Sequence, residues 1–138
     1  MSPDGSADLV VGCPGYLGTG AAFWYANHQD PDRLEIDGQR LNDRFGFSVL
    51  LTKDLTNDTL PDLLVGAPYH GATGAVFLYD QGTSVACEMP GQATGAEHGW
   101  VLSEAGDVDQ NRVIDFLVGQ PESGSATPGT AFLRPVLR

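Results

Sequence analysis

Apolar residues along the chain fall in short runs: LVV at Leu9, AAFWYA at Ala21, FGFSVLL at Phe45, DLLV at Asp62, AVFLY at Ala75, FLV at Phe116 and TAFL at Thr130. Gly, Pro, Asp and Asn break them. No window places apolar residues at i, i+3, i+4 and i+7 behind a capping residue, so no helix is predicted. Short runs bounded by turn residues predict strands, and the near-continuous DLLV predicts a strand covered on both faces. The expected fold class is all-β.

The runs are periodic. The glycine of a Val-Gly pair recurs at Gly12, Gly66 and Gly119, steps of 54 and 53 residues. Phe45-Gly46 aligns with His98-Gly99, and GAAFWY at Gly20 to Tyr25 aligns with GAVFLY at Gly74 to Tyr79 and GTAFLR at Gly129 to Arg134. The repeats are read as 1–40, 41–92 and 93–138. The middle copy predicts four strands, A at Phe45 to Leu51, B at Asp62 to Val65, C at Ala75 to Tyr79 and D at Thr83 to Met89. The first copy supplies B at Leu9 to Val11, C at Ala21 to Ala26 and D at Arg33 to Ile36. The third supplies A at Gly99 to Ser103, B at Phe116 to Val118 and C at Thr130 to Leu133. Four-stranded units of this length, each unable to bury both faces alone, predict propeller blades packed side by side, about three of them with only the middle one complete. A tandem of independent domains is the competing arrangement, and such units lie near the lower limit for folding alone.

Between strands A and B, oxygen-bearing side chains occupy alternate positions. In the middle copy these are Asp54, Thr56, Asp58 and Asp62, with Leu60 offering its carbonyl; the third copy repeats the set as Asp107, Asp109, Asn111, the carbonyl of Val113, and Asp115. Alternate residues of a curled loop can point inward and bring oxygens to about 2.3–2.6 Å from one Ca²⁺. Turn preference alone also places Asp and Asn in such loops, but recurrence at the same odd positions in two loops favours metal. An EF-hand needs a bidentate Glu at position 12; Val65 and Val118 stand there. Position 6 holds Thr59 and Arg112 where calcium loops often want glycine, so a positive φ at Thr59 would be costly. The first copy keeps Asp4, Ser6 and Asp8 in register.

These residues resemble the FG-GAP repeat family, the blades of the integrin α-chain β-propeller. The resemblance rests on Phe45-Gly46, DLTNDTLPD at Asp54 to Asp62, LLVGAP at Leu63 to Pro68 and GAVFLY at Gly74 to Tyr79. HG and GQP stand in the third copy, and GCP in the first. It implies a calcium-binding hairpin in each full loop, with the ten positions named above as ligands and Ca²⁺ as the cofactor. It also implies a ligand-bearing face opposite the calcium loops, onto which Tyr16, Tyr69, His70, Arg40, Arg44 and His98 map, for a protein or carbohydrate partner. Trp24 and Trp100 lie in predicted strands and are expected to pack between blades. The family's usual seven blades against three copies here imply either a piece of a larger propeller or assembly with other chains.

Composition narrows the function. Asp plus Glu number 18 against 7 Lys plus Arg, for a net charge of −11, and Lys53 is the one lysine. That balance argues against nucleic acid and anionic membranes and favours cations. No apolar run approaches the roughly 18–20 residues that span a bilayer, and the first residues lack a signal-peptide pattern. Cys13 and Cys87 leave a disulfide open. The histidines, His28, His70 and His98, have no readable nucleophile partner, and neither a GxSxG elbow nor zinc spacing occurs. The chain is therefore expected to be a non-enzymatic adhesion or binding module. Loose calcium loops point to millimolar surroundings, hence an extracellular or cell-surface setting. The alternatives are an accessory propeller of a larger enzyme, such as a phospholipase D acting on glycosylphosphatidylinositol anchors, or a structural scaffold.

Overall fold

Residues 7–26, 33–122 and 128–134 are described in this computed structural model, those after 121 by backbone alone. Among these residues ten strands form three antiparallel sheets. The first joins β1 (Leu9–Cys13), β2 (Ala21–Tyr25) and β3 (Arg33–Asp37), with a single 3₁₀ turn at Tyr16–Gly18. The second runs β4 (Ser48–Thr52), β5 (Asp62–Ala67), β6 (Ala75–Asp80), β7 (Ser84–Pro90), each beside the next. The third orders β8 (Val101–Gly106), β9 (Asp115–Glu122) and β10 (Pro128–Arg134) about a central β9. These are successive blades of a partial β-propeller, as the repeat predicts.

β5 shows why its sequence is apolar without interruption. Side chains alternate across a strand, so Leu63 and Val65 face the first blade, where they meet Ala22, Trp24, Ile36 and Phe45. Leu64 faces the third, packing with Val76, Leu78, Val113, Phe116 and Val118. Leu63, Leu64 and Val65 are wholly buried, each worth about 1.5–3 kcal/mol relative to exposure. Trp24 lies in the first of these clusters, and Trp100 stacks on Phe47 with centroids 4.5 Å apart. Both tryptophans pack between blades.

Strands A of the second and third blades begin later than predicted, at Ser48 and Val101. The cause is Gly46 and Gly99, whose φ of 83° and 94° cannot extend a strand. The residues before them instead bridge backward in parallel, Phe45 to Gly20 and His98 to Gly74. The repeated glycines meet at these same joints. A Cβ on Gly12 would lie 2.0 Å from the Gly46 carbonyl oxygen, and one on Gly66 2.1 Å from that of Gly99. Ser48 Oγ donates to this Gly99 carbonyl at 2.7 Å. The VG and FG signatures are thus two halves of one backbone contact between neighbouring blades. Both cysteines are free, Cys13 half-buried and Cys87 exposed.

Candidate metal centre

The two A–B loops share a hydrogen-bond frame. The first-position aspartate accepts from the backbone N–H of the sixth, Asp54 Oδ2 from Thr59 and Asp107 Oδ2 from Arg112, both at 2.9 Å. The ninth accepts from the second, Asp62 Oδ2 from Leu55 at 2.6 Å and Asp115 Oδ2 from Val108 at 2.7 Å. The fifth accepts from the seventh, Asp58 Oδ1 from Leu60 at 2.8 Å and Asn111 Oδ1 from Val113 at 2.7 Å. Left-handed backbone at matched positions closes each curl: Asn57 (φ 71°) and Thr59 (φ 77°), Gln110 (φ 62°) and Arg112 (φ 72°). Thr59 therefore carries the costly positive φ that its position predicts. Such strain is worth about 1–3 kcal/mol, so Thr59→Gly should raise stability by about 1 kcal/mol after the flexibility cost of glycine. A urea midpoint that falls, or stays put, would contradict a strained Thr59.

The third position separates the loops. In 54–62 the Thr56 hydroxyl donates to Asp62 Oδ1 at 3.3 Å and its N–H to Asp62 Oδ2 at 2.8 Å, while Asp54 Oδ1 accepts from Asn57 and Asp58. The carboxylates of that loop are met by N–H and O–H donors. Burial raises the pKa of Asp62 against the pull of those donors, and the Leu60 N–H, with help from Gln81, lowers that of Asp58. In 107–115 the third position is a carboxylate, Asp109, so acidic oxygens of Asp107, Asp109 and Asp115 lie within 4.8 Å of one another, the one such grouping among the described residues. Asp115 is wholly buried, yet its Oδ1 has no hydrogen-bond partner among the described residues. A buried orphan carboxylate oxygen facing two other acids is costly, and a divalent cation satisfies all three at once. The donor set fits a hard cation.

Sequence reasoning missed Gln81. This exposed residue of the β6–β7 turn donates from Nε2 to Asp58 Oδ2, and its backbone N–H reaches Asp62. DQGT reads only as a turn, so nothing in the spacing signals that role. In the first repeat, Asp4 and Ser6 lie outside the described residues; Asp8, in register with Asp62 and Asp115, again has a buried Oδ1 without a partner among them.

Residues 45–79 match the family described as FG-GAP repeat. The chain carries an FG-GAP repeat. Its similarity to known proteins extends further: it is 37% identical to integrin alpha-7 of Rattus norvegicus over 99% of this chain and 13% of that protein. It is 33% identical to integrin alpha-5 of Xenopus laevis over 96% of the chain and 14% of that protein. The phosphatidylinositol-glycan-specific phospholipase D of Bos taurus is 33% identical over 88% of the chain and 17% of that enzyme. The chain thus spans between about an eighth and a sixth of these relatives.

Opposite the A–B loops, the FG-GAP blades arrange the residues expected on a ligand face unevenly. Tyr69 is exposed, with the Arg44 guanidinium 5.4 Å from its ring centroid, and Arg40 is exposed. Tyr16 stands edge-on to Phe23 at 5.2 Å. Two residues depart from the expectation. His98 is wholly buried, because the parallel bridge to Gly74 draws it into the blade joint. His70 is mostly buried, its Nδ1 2.6 Å from Asp43 Oδ2. Among the described residues no helix is long and apolar enough to cross a membrane.

Proposed function

We propose that this chain is a calcium-binding, integrin-like β-propeller module of the extracellular or cell-surface milieu that acts by binding another protein rather than by catalysis. The observation that carries the calcium reading is the buried Oδ1 of Asp115, without a hydrogen-bond partner among the described residues, in the group with Asp107 and Asp109. Asp107, Asp109, Asn111, Asp115 and the Val113 carbonyl are the ligands of the stronger site. Asp54, Thr56, Asp58, Asp62 and the Leu60 carbonyl form the weaker one, since Thr56 stands where the other loop has a carboxylate and donors also occupy Asp54 Oδ1 and Asp62 Oδ1. The calcium is architectural: it neutralises acids at the mouth of a crowded hairpin. The residues form one partial propeller domain with repeats over 1–40, 41–92 and 93–138, and the face bearing Tyr69 and Arg44 meets the partner. Similarity to integrin α chains supports this role.

Calcium binding to the folded state alone stabilises by about 2.7 kcal/mol at a hundredfold excess over Kd. The melting temperature should therefore rise by roughly 10 °C with saturating calcium and return with chelator. An unchanged melt would reject the site. A second reading, an accessory propeller within a larger enzyme, is favoured by the similarity to the phospholipase D. Sequencing the complete reading frame separates the two.

A further inference from the structure

A cavity of about 60 Å³ opens where the first blade meets the second, and no residue of either acidic loop lines it. Its rim carries three carboxylates, Asp37 at the end of β3, Asp43 in the linker and Glu88 on β7. Its apolar wall is aromatic: Phe45, Phe77 and Tyr79. Phe45 lies 5.6 Å from Phe77 and 6.0 Å from Tyr79 between centroids, so the three rings form one continuous surface. His70 stands edge-on to Phe77 at 5.1 Å and links the rim, with Nδ1 2.6 Å from Asp43 and Nε2 3.4 Å from Glu88. Tyr79 is only 7% exposed, and burial holds its pKa at about 12.

These features select a ligand class. Three acids against one imidazole leave the rim negative even when His70 is protonated, which rejects anions. The rim acids and His70 are not among the groups that converge at metal-ligand distance, and an aromatic wall offers a hard inorganic ion little. An organic cation with an apolar stem uses both parts, pairing with the carboxylates and lying within about 6 Å of the ring faces. The volume admits a few water-sized groups, enough for an ammonium head and its first methylenes. The ammonium's three N–H donors match the acceptors present, the rim carboxylates and the Tyr79 oxygen.

We propose that this inter-blade cavity binds a primary alkylammonium group, the end of a lysine side chain or of a free amine. The test is titration of the whole chain, saturated with calcium to occupy the acidic loops, with n-butylammonium chloride at fixed ionic strength, followed by the side-chain NMR signals of His70, Phe77 and Tyr79. Saturable shifts are expected at those residues and not with sodium chloride. Asp37 and Glu88 are exposed, so the double variant Asp37→Asn/Glu88→Gln keeps the fold and should bind roughly tenfold more weakly. Tyr79→Phe keeps the ring and should weaken binding by a smaller factor. N-acetyl-lysine methylamide binding as well as butylammonium identifies a protein side chain as the natural occupant; a preference for the free amine identifies a small molecule. Shifts reproduced by sodium chloride, or equal affinity in the double variant, would overturn the site.

Discussion

Gly66→Ala should cost at least about 3 kcal/mol and bring the chain close to unfolding at physiological temperature. The new methyl carbon would stand 2.1 Å from the Gly99 carbonyl oxygen and 2.2 Å from Ser48 Oγ. A serine side chain can turn away, but the backbone of the third blade cannot, so the two sheets must separate along β4 and β8. Leu64, Val76 and Leu78 would then lose contact with Phe116 and Val118. Gly15 is the matched control: a Cβ there meets nothing within 4 Å and its φ is −102°. Gly15→Ala should be neutral or stabilising by a few tenths of a kcal/mol. Urea denaturation of the two variants checks the pair, and equal midpoints would show that the blades are not held at this contact.

Asp107→Ala should remove one calcium from the binding stoichiometry and abolish most of the calcium-dependent rise in melting temperature. Its cost should depend on the ion. In chelator the variant loses one backbone hydrogen bond but sheds repulsion toward Asp109 and Asp115, so stability should change by less than about 1 kcal/mol. Asp54→Ala should behave differently. Asp54 accepts from Asn57, Asp58 and Thr59, so its removal should cost about 1–2 kcal/mol already in chelator, with a further loss in calcium as the weaker site is emptied. Calorimetric titration and paired melts measure both. Equal losses with and without calcium for Asp107→Ala would assign that loop a structural role alone.

Much of this architecture is readable before any coordinates. Strand identity follows from runs such as DLLV and AVFLY, because a strand buried on both faces cannot carry polar residues except at its ends. Gly12 and Gly66 are legible because a backbone contact tolerates no substitute, whereas at Gly119 a Cβ would meet the Val101 side chain. Strand starts were not readable. Phe45 and His98 look like strand residues, and only their hydrogen bonds to the preceding blade reveal that they terminate a linker. The acidic spacing identifies both loops but not their inequality. That depends on whether Thr56 or Asp109 stands beside the buried aspartate, and on Gln81, which arrives from a turn 23 residues beyond Asp58. His98 misled because a histidine in a loop reads as polar surface.

The glycine contacts also set the geometry of growth. Gly12 touches Gly46 as Gly66 touches Gly99, so both junctions close on the same backbone atoms. Side chains differ across the two joints, with Trp24 at the first where Leu78 stands at the second. The angular step from one blade to the next is thus governed by main chain, like the pitch of a gear cut independently of its plating. Sequence on the blade faces is free to drift while curvature stays constant.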